Sequence, residues 1–320
     1  MFRKCFCLLA LAGLSANAQK YNDGVTDIAE AERRSASAVL EAQVNPDTHN
    51  YDVTYHSLEF TVDPADYFIE GKVTTNFTAL ENMSQVIFDM SDALEVSGVK
   101  QNGVNLPFTQ NFQDELVITL QTLLSAGELA TVEISYSGMP AFNNQAFSTT
   151  SHNGSPILYT LSEPFGAKDW WPCKHDLNDK VDSVDVYITA PSQYVSVSNG
   201  VEVGQTVSGN LKTTHFHHGH PIPAYLVAIA VTNYSVFTQN AGTPPNTFPI
   251  VNYVYPENLE QAQNSFAVTP AIMDFFEQKF GTYPYADEKY GHAQFAWGGG
   301  MEHTTVSFMG GFSRGLIAHE

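Results

Sequence analysis

Between Tyr51 and about residue 245, apolar side chains recur at every second position in one short run after another, with no helical period between them. Tyr51, Val53 and Tyr55 alternate with polar residues, and Leu58, Phe60 and Val62 continue on shifted parity. That shift predicts a bulge near Ser57. The alternation returns at Val73, Thr75, Phe77 and Ala79, at Leu116, Ile118 and Leu120, at Val132, Ile134 and Tyr136, and at Val184, Val186 and Ile188. Turn-forming residues separate the runs, as at Gln101-Asn102-Gly103 and Asn153-Gly154. Ala224 to Val231 is continuously apolar, which predicts a strand covered on both faces. Many short strands without intervening helices leave few architectures open. The fold class is mainly β, with a β-sandwich or saddle-like N-terminal domain over residues 46–245.

After that the pattern changes. Ala241 to Pro245 reads as an interdomain linker, and Phe248 to Tyr255 as one strand. Leu259, Ala262, Phe266, Met273, Phe276 and Phe280 then share one helical face, with Gly281 as a C-terminal stop. Pro270 interrupts this period and predicts a kink or two abutting helices. Strands are expected around Glu288 to Phe295 and Thr304 to Met309, and Ser313 to Glu320 reads as the first turns of another helix. Residues 246–320 are therefore expected to begin an α+β domain.

The N-terminus carries an address. Arg3 and Lys4 precede an apolar run from Cys5 to Leu14, and Ala16-Asn17-Ala18 fits a signal-peptidase site. Residues 1–18 are read as a signal peptide, and the protein as exported to a periplasmic or extracellular location. The run is too short to span a bilayer, and no integral membrane segment is expected beyond it. Residues 19–45 form an N-terminal extension with a short helix from Ile28 to Ala42, broken by Asn45-Pro46-Asp47. Cleavage after Ala18 removes Cys5 and Cys7, so no disulfide framework is possible and Cys173 is expected to be a packed thiol. Lys and Arg total 14 against 34 Asp and Glu, a formal charge of -20. Such a surface repels phosphate backbones, which argues against nucleic acid as a partner; it suits cationic groups such as peptide N-termini, and equally the solvated acidic surface of a secreted protein. Oligomeric state is not legible.

Three ordered motifs carry the chemistry. Ser162-Glu163-Pro164-Phe165-Gly166-Ala167 is followed by Asp169-Trp170-Trp171-Pro172-Cys173. Gly298-Gly299-Gly300-Met301-Glu302-His303 comes next, and Arg314-Gly315-Leu316-Ile317-Ala318-His319-Glu320 last. Together they resemble the aminopeptidase N family of zinc metallopeptidases. Gly299 to His303 is similar to that family's G-x-M-E-N exopeptidase motif, with His303 where Asn is usual. His319-Glu320 resembles the opening of H-E-x-x-H, and the Glu163 segment resembles the part of the N-terminal domain that lends a second acid to the substrate pocket.

The resemblance covers nearly the whole chain after the signal. It implies a β-rich domain followed by the beginning of a thermolysin-like catalytic domain, with zinc as cofactor and peptides with a free N-terminus as substrates. His319 is then the first zinc ligand and Glu320 the general base, because in that motif two histidines one helical turn apart aim at one metal and the intervening Glu faces its water. Glu302 and Glu163 grip the α-ammonium by charge-assisted hydrogen bonds and limit cleavage to the first peptide bond. Gly299, Gly300 and Met301 receive the substrate backbone, which pairs like an added strand. His303 is expected to fix this loop by hydrogen bonding. A second His at position 323 and a downstream Glu are needed for the metal, so the 320-residue chain is expected to be inactive alone.

Other readings stand beside this one. The chain is alternatively a non-catalytic β-domain used as an interaction module, or a degenerate peptidase. One branch of the family also opens epoxides, although no residue here favours that. His215, His217, His218 and His220 invite a second metal site, but alternation puts His218 on the opposite strand face from His215 and His217, so a packed or solvated cluster is expected.

Overall fold

The computed structural model describes residues 44–142 and 146–320. The expected signal peptide and the helix expected from Ile28 to Ala42 lie outside the described residues. The rest is mainly β, as the alternation requires. An eight-stranded sheet runs in spatial order Val201–Ser208, Leu211–His218, Ser183–Pro191, Tyr51–Val62, Ile69–Ala79, Leu129–Gly138, Leu94–Gln101 and Val104–Asn105. All neighbours are antiparallel except Tyr51–Val62 and Ser183–Pro191, which pair in parallel. A three-stranded sheet of Met83–Asp89, Glu115–Leu124 and Phe108–Asn111 packs on it. Val73, Phe77 and Val132 from one sheet and Val86, Phe88 and Ile118 from the other belong to the same buried core. Trp170 and Trp171 sit in that core, and the buried Tyr136 hydroxyl donates to the Trp170 carbonyl at 2.7 Å.

The turns are where the sequence puts them. Asn102 and Gly103, and likewise Asn153 and Gly154, adopt positive φ in two-residue hairpins, the twist-compatible solution for tightly joined strands. The bulge is elsewhere. The register shift in the first strand falls between Val53 and Tyr55, not near Ser57. It turns His56 inward, where Nδ1 bonds to the Thr75 hydroxyl at 2.9 Å and the ring meets Trp171 edge-on at 5.2 Å. Burial holds that imidazole's pKa down to about 3. Cys173 is fully buried, and its thiol is pushed well above its ordinary range by burial and then by Asp89, as befits a packed cysteine.

A four-stranded sheet follows the order Val195–Ser198, Ile229–Thr232, Ser155–Thr160 and Phe147–His152. Its second strand is covered on both faces as expected, but the apolar run from Ala224 forms a 3₁₀ turn over Ala224–Leu226 before the strand begins. The last sheet has five strands: Ser235–Ala241, Phe248–Val254, Tyr290–Gln294, Ser307–Met309 and, at its edge, Gly300–Met301. The expected linker at Ala241 to Pro245 is thus the start of a hairpin loop between two antiparallel neighbours of one sheet. Two helices, Leu259–Phe266 and Thr269–Phe280, abut at Pro270, which occupies the first turn of the second and so loses no helical bond. Gly281 caps that helix at φ 98. Among the described residues no helix is long and apolar enough to cross a membrane.

Candidate functional site

The four-stranded sheet decides which residues meet. Ser198 is paired with Ile229, and the Ile229 amide donates to the Thr160 hydroxyl at 3.0 Å, so three strand termini lie at the same end. Glu163 leaves that end just after Thr160. Its segment is pinned by Trp170, whose indole N–H donates to Ser162 Oγ at 2.9 Å, and by the Gly166 amide on the Ser162 carbonyl at 2.8 Å. The Ala224–Leu226 turn brings Tyr225 to the same end, just ahead of Ile229. Burial first, then the charges of Glu302 and Glu163, push the Tyr225 hydroxyl above its ordinary value. The charges of both carboxylates thus act on one phenol, although 139 positions separate them in the chain.

Glu302 arrives from the five-stranded sheet. Gly300–Met301 pairs antiparallel with Ser307–Met309, with Gly300 opposite Met309 and Met301 opposite Phe308. Met301 is buried beside Phe295, Val306 and Phe308, which fixes the strand, while Glu302 is exposed at its end. The backbone here is crowded. A Cβ on Gly310 would stand 1.7 Å from the Trp297 carbonyl oxygen, and the Gly310 amide donates to the Gly299 carbonyl at 2.7 Å. A Cβ on Gly300 would stand 2.1 Å from a carboxylate oxygen of Glu320. Gly300 is thus the surface on which Glu320 rests.

His319 and Glu320 come from the helix Arg314–His319, which Ser313 caps by accepting from the Leu316 amide at 3.2 Å. Ser307 Oγ donates to the Glu320 carbonyl at 3.2 Å and shares a 3.0 Å hydrogen bond with the Tyr290 hydroxyl. Burial pushes that phenol up to about 12, opposed by Ser307 and reinforced by Glu320. His319 itself is exposed in the last helical turn.

His303 behaves differently from expectation. It is 1 % exposed, and neither ring nitrogen has a hydrogen-bond partner among the described residues. The ring packs edge-on against Phe308 at 4.4 Å, and burial lowers its pKa to about 3. The turn after Glu302 is held instead by Asn199 and Gly200. Asn199 Nδ2 donates to the Thr304 carbonyl at 2.8 Å, and the Gly200 amide donates to Thr305 Oγ1 at 2.7 Å. Sequence reasoning missed Tyr225, Asn199 and Gly200. An Asn-Gly pair closing a strand reads as a turn, and a Tyr in an apolar run reads as core. The signal available was the polar tip of Tyr225 inside an otherwise unbroken apolar run.

The histidine cluster is accounted for by carboxylates. His215 and His217 both meet Asp185, at 2.6 and 3.1 Å, and His220 meets Asp287 at 2.9 Å. His218 pairs with Glu288 at 2.7 Å. Burial alone would raise the Glu288 carboxyl, yet the bonds from His218 and the Gly219 amide hold it below its ordinary value. Among the described residues no group of three or more His, Cys, Asp or Glu is arranged to hold a metal ion. Of the expected ligand set only His319 lies in this sequence, and three protein ligands are the norm for catalytic zinc. The residues of this chain do not by themselves fit the metal.

Comparison with known proteins follows the same lines. A family model described as the Peptidase M1 N-terminal domain matches residues 47–226. Glutamyl aminopeptidase of Rattus norvegicus is 32% identical over 125 residues, which are 39% of this chain and 13% of that protein. The glutamyl aminopeptidase of Homo sapiens is 30% identical over 137 residues, 41% of this chain and 14% of that protein. The chain therefore spans about a seventh of the length of these relatives. Among solved structures, the M1 zinc metallopeptidase from Deinococcus radiodurans superposes with TM-score 0.69 at 24% identity, covering 81% of this chain and 60% of that one. A mutant of it bound to a Tyr-Ser-Ala substrate gives TM-score 0.71 at 24% identity, covering 83% and 62%. At that identity the superposition speaks for the fold.

Proposed function

The chain belongs to the M1 peptidase family, whose N-terminal domain occupies residues 47–226, and from that premise we propose that it is the substrate-gripping part of an exported zinc aminopeptidase. One observation carries the reading: the charges of Glu163 and Glu302, which follow strands of two different sheets, both bear on Tyr225. Two carboxylates around one position suit a cationic ligand, and charge-assisted hydrogen bonds to an α-ammonium are about twice as strong as neutral ones. The edge strand Gly300–Met301 then offers its free side to the backbone of a peptide whose amino end lies at the acids. Gripping the amine fixes how far the peptide reaches, so the first peptide bond is the one presented toward His319 and Glu320.

Zinc is proposed to bind as one ion when His319 is joined by a second His at position 323 and a later Glu, outside this sequence. Since the donors here do not complete that site, no step through the metal is derived. The 320-residue chain is proposed to bind free-amine peptides without hydrolysing them.

The test compares this chain with a longer product containing the residues after Glu320, using an aminoacyl chromogenic substrate with added zinc. The longer product should turn over the free-amine substrate and leave the N-acetylated one intact, and Glu302→Gln or Glu163→Gln should raise KM by about tenfold or more. Turnover by the 320-residue chain alone, or equal cleavage of the acetylated substrate, contradicts the proposal.

A further inference from the structure

Three consecutive residues at the end of the strand Val195–Ser198 each bond to the five-stranded sheet or its loops. The Lys289 ammonium donates to the Ser198 carbonyl at 3.0 Å. Asn199 Nδ2 donates to the Thr304 carbonyl, and the Gly200 amide to the Thr305 hydroxyl, across 105 residues in each case. Asn199 does more. Its Nδ2 also donates to the Leu226 carbonyl at 2.9 Å, and its Oδ1 accepts from the Ala228 amide at 2.8 Å. The side chain is 1 % exposed and uses both ends of its amide, so its orientation is fixed by its partners.

These partners are informative. Leu226 ends the turn that carries Tyr225 and Ala228 follows it, beside the strand end from which Glu163 departs. Thr304 and Thr305 are the central residues of the turn directly after Glu302, which the Val306 amide closes on the His303 carbonyl at 3.0 Å. Thr305 sits at φ 68, a region β-branched residues rarely enter, so this turn needs external support. The His303 ring packs against Phe308 and makes no hydrogen bond, so its side chain adds no polar tie to the turn. Gly200 has φ 72, and a Cβ there would lie 1.9 Å from the His217 carbonyl oxygen, so only glycine fits against the neighbouring strand Leu211–His218.

We infer that Asn199 is a positioning residue that sets the spacing between Glu163 and Glu302, and thereby the requirement for a free amino terminus. It touches neither the peptide nor the reacting atoms. It locks the turn bearing one acid to the sheet end bearing the other. The inference rests on the proposed aminopeptidase reading, since the spacing matters only if both acids hold one amine.

Two measurements test it. In the 320-residue chain, Asn199→Ala should speed hydrogen exchange of residues 301–307 by roughly tenfold or more relative to the eight-stranded sheet. Ser198→Ala, which removes the neighbouring buried bond from Ser198 Oγ to the Ala228 carbonyl, should leave that segment's exchange unchanged. In the longer, active product, Asn199→Ala should raise KM for free-amine substrates about tenfold with kcat within about threefold. It should also shrink the ratio of inhibition constants for two inhibitors that differ only in the α-amine. Unchanged exchange in 301–307, an unchanged inhibitor ratio, or equal losses through kcat each overturns the inference. A wild-type product indifferent to the amine would instead sink the underlying reading, and the exchange measurement would still judge the clamp.

Discussion

Gly300 and Gly310 lie across one short ladder, and each excludes a side chain for a different reason. A Cβ at Gly310 runs into a carbonyl of the backbone, which cannot yield, whereas at Gly300 it meets only the carboxylate of Glu320. Gly310→Ala is therefore expected to lower unfolding free energy by roughly 1–3 kcal/mol. Gly300→Ala should cost less than about 1 kcal/mol, because a flexible side chain can swing away. In the longer product the same change should reduce turnover about a hundredfold, since the displaced group belongs to the proposed chemistry. Denaturant titration and kinetics on the pair check this; equal destabilisation by both would refute the packing argument. Gly300, Glu302 and Glu320 were legible as candidates because their motifs are contiguous. Asn199 and Tyr225 were not, because their meaning comes from bonds and charges spanning tens to a hundred residues, which a linear pattern does not encode.

Periodicity reports which residues share a face and is silent about what covers that face. Leu259, Ala262 and Phe266 of the first helix pack into one core cluster, and Met273 of the second helix packs into another. Phe276 and Phe280, which continue the same period, are 36% and 83% exposed among the described residues. The bulge misplacement has a related cause. His56 is polar yet turns inward after the register slip between Val53 and Tyr55, which the alternation of polar and apolar residues alone does not reveal. The short helix Arg314–His319 was legible in outline, and its cap is its weak point. Ser313→Ala should cost about 1 kcal/mol locally and accelerate exchange of the Ile317 and Glu320 amides, which bond back to Ser313 and Leu316. Unchanged protection at both amides would show that packing of Leu316 and Ile317 alone holds the helix.

At the scale of the molecule, burial of neutral imidazoles governs the acid limb of stability. His56, His175 and His292 each have a folded-state pKa of about 3, lowered by burial from 6.5. Between those values the unfolded chain binds more protons than the folded one, so stability falls as pH drops from 6.5 toward 3. The denaturant midpoint should decline steadily through that window, and His56→Gln should flatten the decline. A midpoint flat from pH 6.5 to 4 would contradict these neutral states. Much of this architecture was legible because each strand had to hide one face. The meeting of two sheets at Asn199 was not, because no single strand's pattern contains it.

The parallel pairing of Tyr51–Val62 with Ser183–Pro191 has a consequence in time. Tyr55 and its partner Asp185 stand 130 residues apart, so a chain lengthening from its N-terminus finishes the first strand long before its neighbour exists. Throughout that interval twelve residues with an apolar stripe present bare amides and carbonyls along one side. Closing that side is a late, non-local event, which makes assembly slow and leaves the nascent sheet open to strands of other chains until Ser183 onward arrives.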